Sequence, residues 1–452
     1  MSDRLVVIGG DAAGMTAAAT ARRRRPADQL DIVAFEQGNY TSYSACGIPY
    51  LIGGLVDDVD ALIARAPEEH ARRGIDARVG HVASAIDTDG RRVLVRQVDA
   101  GVETWEPFDQ LVVATGSTPR RPPLPGSDAA GIFGVQTLDD GLAVRAAAAA
   151  GDVHHAVVIG GGYIGLELGE ALVRRGLRVA LVEAAPQPMS SLDPEMGALV
   201  ADALRDVGID VHVGARVEGF ELEAGRVTGV CTASQTLPAD LVILGLGVDP
   251  NSGLARDAGI PVGASGGIVV DDHQRTRVDG IFAAGDCSEA FHRVSRRPVV
   301  VALGTHANKQ GRVVGINATG GDARFPGVLG TAASKICKYE VARTGLNQRE
   351  AADAGFDAVG TSVDATTRAG YYPDAAPIRV RVVAEVATGR LLGAQIVGEE
   401  GAAKRVDVLA AAIWNDMTVG EVASMDLSYA PPFAPVWDPT LMAARRAAAE
   451  LG

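Results

Sequence analysis

The stretch HAVVIGGGYIGLELGEALVRRG, residues 155–176, decides the fold of this chain. An apolar strand-like run leads into a glycine-rich turn, and a helix-like pattern follows it. Gly160, Gly162 and Gly165 match GxGxxG in the context that the dinucleotide-binding fingerprint requires. The first glycine permits a tight turn, the second lets the backbone approach a pyrophosphate, and the third allows helix and strand to pack closely. We therefore predict a nucleotide-binding domain around this stretch.

The same pattern of strand, turn and helix occurs near the amino terminus, in RLVVIGGDAAGMTAAATARRR, residues 4–24. Gly9 and Gly14 occupy the outer glycine positions, whereas Asp11 stands where the middle glycine belongs. Glu36 ends a second strand-like run 22 residues after Gly14, at the spacing of a ribose-binding acid. This acid makes the looser match acceptable, so we predict a second dinucleotide site.

Glu183 closes the strand-like run VALVE that follows the complete motif. A carboxylate at that position accepts hydrogen bonds from an adenosine ribose and repels a 2′-phosphate, which favours NADH over NADPH. Two dinucleotide sites in one chain indicate a tightly bound flavin in the first and a nicotinamide donor in the second. The expected cofactors are therefore FAD and NADH, with NADPH as the second choice of donor.

The bulk composition excludes several classes of protein. The 452 residues carry a formal net charge of −14 and are 47% hydrophobic, so the chain can build sizeable cores while its field repels polyanions. We expect no nucleic-acid partner and no membrane partner. The sequence starts without a charged leader and has no run of about 18 apolar residues, which predicts a cytoplasmic protein. Cys46, Cys231, Cys287 and Cys337 form no closely spaced pair, so neither a metal site nor a disulfide framework is expected.

Two shorter signals favour a flavin in the first unit. ATG, residues 114–116, closes a strand on a glycine, and IFAAGDC, residues 281–287, places Asp286 at the carboxyl end of another strand. An acid there can accept hydrogen bonds from ribityl hydroxyls. From about Phe325 the pattern changes to mixed strands and helices, which marks a further domain.

Together these motifs resemble those of the flavoprotein pyridine nucleotide-disulfide oxidoreductases. The resemblance is strongest to the single-cysteine branch that contains coenzyme A-disulfide reductase, NADH oxidase, NADH peroxidase and polysulfide reductase. The matching stretches are VVIGGDAAG, SYSACGIPY, ATGSTPR, VVIGGGYIGLE, IFAAGD, LGTHANKQGR, RAGYYPDAAPI and YAPPFAPVWDP. The resemblance implies an α/β fold class with two Rossmann-like dinucleotide-binding domains and a C-terminal α+β domain that makes a homodimer. The implied domains are 1–115 and 246–324 for FAD, 116–245 for NAD(P)H and 325–452 for dimerisation.

The stretch SYSACGIPY, residues 42–50, carries the redox cysteine of that family, Cys46. Other members have a second cysteine shortly afterwards, but Gly47 to Leu51 contains no sulfur. Cys46 must therefore hold half of a disulfide substrate as a mixed disulfide, or cycle through a sulfenic acid if the substrate is peroxide or oxygen. Its position at a helix amino terminus beside a flavin is expected to lower the pKa of its thiol.

The resemblance also bears on the branch of the family. Oxidase and peroxidase relatives have a histidine after the first glycines, whereas Ala12 is similar to the coenzyme A-disulfide reductase pattern. Ala45 replaces the Asn usual in that reductase, which leaves the exact disulfide open. By similarity, Tyr371 and Tyr429 reach the cysteine across the dimer interface and bond or protonate the departing thiolate. Tyr372 is expected only to pack.

Arginines of the first helix and a serine near the redox cysteine are the implied substrate contacts. Arg23, with Arg22, matches a position that contacts coenzyme A phosphates in the family, and Ser42 lies along the same channel. Tyr163 is implied as a gate over the flavin, and Glu167 as a residue that positions the nicotinamide. The remaining implied cofactor contacts are Val82, Thr115, Gly116, Ile164 and Ala302.

The amino-acid sequence leaves three functions open. The leading one is an FAD-dependent NAD(P)H oxidoreductase that reduces coenzyme A disulfide or a related disulfide or persulfide, with coenzyme A as substrate or bound thiol. The alternative is an NADH oxidase or NADH peroxidase that cycles through a sulfenic acid, against which Ala12 counts. From a different class, an electron-transfer or redox-sensing flavoprotein would act on a protein partner and would not need Cys46.

Overall fold

Residues 2–119 form the first nucleotide-binding unit in the computed structural model, which describes residues 2–452. Apolar β-branched runs form its strands, and the alanine-rich segment after the first glycines forms a helix. The strands are β1 (Asp3–Ile8), β2 (Leu30–Phe35), β3 (Asp76–Arg78), β4 (His81–Asp87), β5 (Arg92–Gln97), β6 (Glu103–Pro107), β7 (Gln110–Val113) and β8 (Ser117–Pro119). The helices are α1 (Ala12–Arg24), α2 (Ile48–Ile52) and α3 (Pro67–Arg72), with 3₁₀ turns at Ala45–Gly47 and Val59–Leu62.

The second nucleotide-binding unit follows and repeats this organisation around the complete glycine motif. Its strands are β9 (Ile132–Phe133), β10 (His155–Ile159), β11 (Arg178–Glu183), β12 (Asp210–Val213), β13 (Val217–Glu223), β14 (Arg226–Thr232), β15 (Thr236–Pro238), β16 (Leu241–Leu244) and β17 (Val248–Pro250). Its helices are α4 (Leu138–Ala148), α5 (Tyr163–Arg174) and α6 (Pro194–Asp206).

The chain then returns to the first unit and ends in a C-terminal domain. The returning elements are α7 (Gly253–Asp257), β18 (Ile281–Ala283), β19 (Ala290–Phe291), β20 (Pro298–Val299) and α8 (Gly304–Asn317). The strands of the C-terminal domain are β21 (Ala332–Ile336), β22 (Tyr339–Gly345), β23 (Ala358–Thr366), β24 (Pro377–Glu385) and β25 (Leu391–Gly398). Its helices are α9 (Gln348–Asp353), α10 (Val406–Trp414), α11 (Val419–Ala423) and α12 (Pro439–Leu451), with a 3₁₀ turn at Ala403–Arg405. Within residues 2–452, no helix is long and apolar enough to cross a membrane.

Parallel strands build one sheet in each nucleotide-binding unit. The order is β18-β7-β1-β2-β3 in the first and β12-β11-β10-β16-β9 in the second, whereas the C-terminal sheet β21-β22-β25-β24-β23 is antiparallel. The predicted fold class is therefore confirmed. β18 joins the first sheet beside β7, although the whole second unit lies between them in sequence. The second unit is thus an insertion, which supports the domain boundaries that we predicted and now keep as a proposal.

The glycines of both motifs bring each helix close to the strand before it. Gly9 has a left-handed φ of +109°, and an added Cβ would lie 2.0 Å from the Ala114 carbonyl oxygen. A Cβ on Gly14 would lie 2.0 Å from the Gly9 oxygen. Gly160 and Gly165 repeat this geometry, with 2.3 Å and 2.0 Å to neighbouring carbonyl oxygens. Only glycine fits these positions, so both turns direct a helix amino terminus to the carboxyl edge of the sheet.

A buried ion pair joins the second unit to the C-terminal domain. Arg381 in β24 lies 2.7 Å from the carboxylate of Asp193, and their side chains are 10% and 5% exposed. Gln395 donates to the same carboxylate at 2.8 Å and accepts the Asp193 N–H at 2.7 Å. Gln348 N–H donates to the other carboxylate oxygen at 3.0 Å. Because these partners compensate the charges, the C-terminal domain fixes the loop that leads into α6.

Candidate active site

The Glu36 carboxylate is held against the first glycine turn, residues 9–14. Gly10 N–H donates to one carboxylate oxygen and Gly38 N–H to the other, each at 2.7 Å. Val82 is half-buried in β4, whose first residue donates its N–H to the Glu36 carbonyl at 2.8 Å. The acid and Val82 therefore lie near each other at the carboxyl end of β2. This arrangement fits the adenosine half of FAD, where Glu36 was predicted to bind the ribose and Val82 was predicted as a cofactor contact.

Asp286, Thr115 and Gly116 meet where β7 and β18 end. The Ser117 hydroxyl donates to Asp286 at 3.0 Å, and burial raises the pKa of this carboxyl group. The Thr115 hydroxyl donates to the Asn251 carbonyl at 2.6 Å. An added Cβ on Gly116 would meet no described atom within 4 Å, so open space faces this glycine. Polar groups around open space at the strand ends fit the ribityl chain of FAD.

Glu183 repeats in the second unit the geometry of the first acid. Gly161 N–H and Ala185 N–H donate to its two oxygens, each at 2.7 Å. An added Cβ on Gly162 would meet no described atom within 4 Å, so a pyrophosphate can approach the start of α5. Ile164 lies in the first turn of the same helix and is half-buried. These positions fit the adenosine and diphosphate of NAD(P)H.

Tyr163, the first residue of α5, lines a cavity of about 570 Å³ whose other walls come from residues 292–303 of the returning segment and from the C-terminal domain. Ala302, just before α8, lines the same cavity. Burial raises the pKa of the Tyr163 hydroxyl to about 12, so it stays protonated at neutral pH. Arg343 and Glu350 form an ion pair on the wall that the C-terminal domain contributes. The structure thus places the predicted gate and the predicted contact Ala302 at one cavity.

Glu167 lies one helical turn after Tyr163 and contacts the C-terminal domain. It accepts a hydrogen bond of 3.0 Å from the hydroxyl of Ser334, which is in β21 and 7% exposed. Burial raises the pKa of the Glu167 carboxyl group, while the hydrogen bond from Ser334 opposes this shift. Glu167 is therefore held by a partner from another domain.

Cys46 lies in the 3₁₀ turn Ala45–Gly47, directly before α2, and its side chain is exposed. Desolvation by surrounding protein atoms, followed by the charges of Glu167, Asp11 and Asp286, raises the pKa of its thiol. The protein groups therefore raise this pKa, and the predicted lowering, which includes the effect of the flavin, stays a prediction. Among the residues that the structure describes, the charged groups that act on this thiol are acidic side chains and include no cation. The helix that follows it, α2, is only five residues long.

The redox loop, residues 42–47, is docked on the first glycine turn. Ser42 N–H donates to the Gly10 carbonyl at 2.9 Å, and Tyr43 N–H donates to the Asp11 carboxylate at 3.2 Å. The predicted flavin turn and the predicted redox cysteine are therefore parts of one hydrogen-bonded unit.

Of the predicted substrate contacts, Ser42 lies in the redox loop and Arg23 lies on α1. The Ser42 hydroxyl lies 3.1 Å from Nε2 of His70, which is 1% exposed and whose pKa is lowered by burial. Arg23 is exposed near the end of α1 and donates to the Thr20 hydroxyl at 2.9 Å. Its remaining donors are open to an anionic ligand.

Arg22 requires a correction, because its guanidinium group is bound to backbone carbonyl oxygens. It donates to Gly74 at 2.8 Å and 3.2 Å, to Arg25 at 3.1 Å and to Leu30 at 2.7 Å. These bonds use most of its donors and hold the end of α1 against the following segments. We therefore remove Arg22 from the predicted substrate site.

Tyr371 and Tyr429 lie together on the surface of the C-terminal domain. Their side chains are 78% and 46% exposed, and hydrogen bonding to Tyr371 raises the pKa of Tyr429. Ala369 N–H donates to the Pro431 carbonyl at 3.1 Å, which ties the two loops together. Further exposed aromatic or apolar side chains of these loops are Tyr372, Phe433, Val436 and Trp437. These residues form an exposed aromatic surface on the domain predicted to dimerise.

The sequence analysis missed three residues of the site. Asp11 was noted only as a departure from the glycine motif, and that departure was the signal for its contact with the redox loop. Ser334 and His70 had no sequence signal, because their contacts join segments 167 and 28 residues apart.

Comparisons with known proteins agree with this geometry. Residues 3–311 match the family described as pyridine nucleotide-disulphide oxidoreductase, and residues 331–439 match its dimerisation domain. The chain is 38% identical over 446 residues to an NAD(P)H sulfur oxidoreductase (CoA-dependent) of Pyrococcus abyssi, covering 98% of this chain and 97% of the relative. It is 35% identical over 451 residues to an NADH oxidase of Methanocaldococcus jannaschii, covering 99% of each. It is 29% identical over 433 residues to a coenzyme A disulfide reductase of Staphylococcus aureus, covering 95% and 96%.

A solved structure shares the whole architecture. The NAD-dependent persulfide reductase from A. fulgidus superposes with a TM-score of 0.95 at 38% identity, covering 99% of this chain and 83% of that chain.

Proposed function

The chain belongs to the pyridine nucleotide-disulphide oxidoreductase family, and on that basis we propose that it is an FAD-dependent NAD(P)H:disulfide oxidoreductase. Its substrate is coenzyme A disulfide or a related disulfide or persulfide. The similarity to a CoA-dependent sulfur oxidoreductase and to a coenzyme A disulfide reductase supports this substrate class.

The position of Cys46 is the observation that carries the proposal. Its thiol is exposed, lies in the loop docked on the first glycine turn, and is acted on by the charge of Glu167 from the second unit. Within residues 2–452 the other cysteines, Cys231, Cys287 and Cys337, are also free thiols, and Cys287 is fully buried. Cys46 therefore acts as a single redox thiol.

The reaction depends on a single thiolate, because no second cysteine follows Cys46 to form a disulfide with it. The Cys46 thiolate attacks one sulfur of the substrate, forms a mixed disulfide and releases the other half as a thiolate that takes up a proton. Two electrons and one proton then cleave the mixed disulfide, which releases the second thiol and restores the Cys46 thiolate. FAD, when bound, supplies the two-electron transfer from NAD(P)H to sulfur. Glu36 and Asp286 would hold FAD, and Glu183 would hold the adenosine of the nicotinamide cofactor.

The charge of Glu183 supports NADH as the preferred donor. Its two oxygens are fixed by backbone N–H groups at 2.7 Å, so the carboxylate is oriented before the ligand arrives. Ribose hydroxyls can donate to it, whereas a 2′-phosphate would meet a like charge.

We propose a homodimer in which the exposed aromatic surface forms part of the interface. The match of residues 331–439 to a dimerisation domain and the exposure of Tyr371 and Tyr429 support it. In the dimer, Tyr371 and Tyr429 complete the site of the second copy, where a phenol protonates the departing thiolate. Arg23 and Ser42 are the proposed coenzyme A contacts.

Replacement of Cys46 tests the function. The Cys46→Ser variant is expected to bind FAD and to lose NADH-dependent reduction of coenzyme A disulfide, whereas Cys231→Ser, as control, keeps it. Full turnover with a small disulfide in Cys46→Ser would contradict the thiol mechanism. The intact mass of the purified protein before and after dithiothreitol is expected to fall by one coenzyme A.

The NADH oxidase relative provides the alternative outcome. Steady oxygen consumption without added disulfide, lost in Cys46→Ser, would replace the disulfide reductase by an oxidase that cycles through a sulfenic acid. Ala12, in place of the histidine of the oxidases, is the reason to expect only slow oxygen consumption.

A further inference from the structure

Asp11 is the N-cap residue of α1, yet its side chain does not cap the helix. An aspartate at this position usually accepts the N–H of the second or third helical residue. Among the residues that the structure describes, the Asp11 carboxylate accepts no such bond from this 13-residue helix. It accepts instead the N–H of Tyr43 at 3.2 Å. The N–H of Ala12, the first helical residue, also lowers the pKa of this carboxyl group. The carboxylate therefore serves the redox loop in addition to the start of its own helix, and it does not form the usual cap.

The neighbouring backbone supports the same contact. The Gly10 carbonyl accepts the N–H of Ser42 at 2.9 Å, so two consecutive residues of the turn bind two consecutive residues of the loop. Ser42 has a left-handed φ of +48°, and its carbonyl accepts Ala64 N–H at 2.8 Å. A strained backbone conformation persists only when its surroundings hold it, here the glycine turn on one side and Ala64 on the other. Of the two bonds to the glycine turn, the one to Asp11 is nearer to Cys46 in sequence.

We propose that Asp11 is a positioning residue for Cys46: its side chain anchors the redox loop to the first glycine turn, at the position where the dinucleotide fingerprint otherwise has glycine. The proposal rests on the proposed function of Cys46 as the redox thiol.

The charge of Asp11 gives this anchor a second, measurable effect. Burial raises the pKa of Asp11 to about 7, opposed by the N–H groups of Tyr43 and Ala12 and helped by the charges of Glu36 and Asp286. The Asp11 carboxylate in turn raises the pKa of Cys46 and of the Tyr43 hydroxyl. Below about pH 7 Asp11 is neutral and does not oppose the thiolate. Above that pH its charge does, so Cys46 reactivity rises less steeply with pH than that of an isolated thiol.

Substitutions at position 11 separate the two effects in the holoenzyme. Asp11→Asn keeps an oxygen that can accept the Tyr43 N–H but has no charge, whereas Asp11→Gly restores the fingerprint glycine and removes the anchor. Asp58→Asn is the control, because Asp58 caps the nearby turn Val59–Leu62 and has no bond to the redox loop in the described chain. We measure FAD content, single-turnover reaction of the reduced enzyme with coenzyme A disulfide, and the rate of Cys46 alkylation by iodoacetamide against pH.

We expect FAD content to stay unchanged in all variants. The single-turnover rate is expected to fall about tenfold or more in Asp11→Gly, which lacks the hydrogen bond, and to stay within about threefold in Asp11→Asn. The alkylation profile of the wild type and of Asp58→Asn is expected to bend near pH 7, and that of Asp11→Asn to lose the bend.

Three results would overturn the proposal. The first is a wild-type single-turnover rate in Asp11→Gly with FAD bound, and the second is loss of FAD from Asp11→Asn, which would assign Asp11 to cofactor binding. The third is an unchanged bend in Asp11→Asn, which would show that the Asp11 carboxylate does not lie close enough to Cys46 to act on it, and this result can be read even if Asp11→Gly fails to fold. Alkylation needs no turnover, so a failure of the proposed function, seen with Cys46→Ser, is distinguishable from these results.

Discussion

The Ser334 hydroxyl donates a hydrogen bond of 3.0 Å to the Glu167 carboxylate, at the point where three domains meet. Ser334 belongs to the C-terminal domain, Glu167 to the second nucleotide-binding unit, and the charge of Glu167 acts on Cys46 in the first unit. One carboxylate therefore links the predicted nicotinamide site to the thiol.

Loss of the Ser334 hydroxyl should change the titration of Glu167. Burial already raises the pKa of Glu167 and the hydrogen bond opposes it, so Ser334→Ala is expected to raise this pKa further. Glu167 then stays protonated to a higher pH, and the low-pH limit of flavin reduction by NADH, followed by stopped flow, should move upwards. Ser334→Thr should restore the profile.

A matched control exists for this variant. Ser362 donates to Glu195 between the same two domains, and neither group affects Cys46 in the described chain. Ser362→Ala should leave the pH profile of flavin reduction in place. A profile that moves equally in both variants would show a general effect of domain contacts.

Removal of the Glu167 charge should make the thiol more acidic. Glu167 is the first of the charges that raise the pKa of Cys46, so Glu167→Gln is expected to lower that pKa. The rate of Cys46 alkylation by iodoacetamide at pH 7 should rise about threefold or more. Glu68→Gln, at an exposed position of α3, is the control. A slower alkylation in Glu167→Gln would contradict the electrostatic account.

The donor preference should follow the charge at the end of β11. In Glu183→Ala combined with Ala184→Arg, the carboxylate that repels a 2′-phosphate is replaced by a neutral side chain, and a guanidinium group is added that can bind the phosphate. The ratio of kcat/KM for NADPH to that for NADH should increase at least about tenfold. Glu183→Ala alone should weaken NADH use with a smaller gain for NADPH. An unchanged ratio would mean that the ribose lies elsewhere.

The buried ion pair between the domains should matter far more than an exposed one on the same strand. Arg381→Met leaves the carboxylate of Asp193 buried without its cation, which is expected to reduce the free energy of unfolding by about 3–5 kcal/mol. Arg379→Met is the control, since its partner Asp364 is 72% exposed, and it should cost about 0–1 kcal/mol. Equal losses in urea unfolding would contradict this difference.

The sequence predicted those features that depend on local geometry. Glycines whose neighbours leave no room for a Cβ, and acids at the end of the next strand, occur at fixed spacing, so Gly9, Glu36, Gly160 and Glu183 could be placed before the structure. The insertion of one unit into the other was implied by the family resemblance, and its bounds stay a proposal that the pairing of β18 with β7 supports.

Contacts between distant segments could not be predicted in the same way. The bond from Tyr43 to Asp11 spans 32 residues, and Arg22 loses its ligand role to carbonyl groups as far as 52 residues away. The acids that raise the pKa of Cys46 come from three separate segments, and the sequence did not indicate any of them as a neighbour of the thiol. Such effects follow from how the segments pack against one another, which side-chain periodicity does not encode.

Where the chain enters and leaves the inserted unit, β8 and β17 pair antiparallel, with Pro119 opposite Val248. The two ends are therefore only about 5 Å apart. Because the two chain ends that border the inserted unit already lie next to each other, the insertion costs little loop-closure entropy, whatever the length of the inserted unit. The nicotinamide module can thus be exchanged in evolution as one piece, while the flavin sheet keeps its strand order.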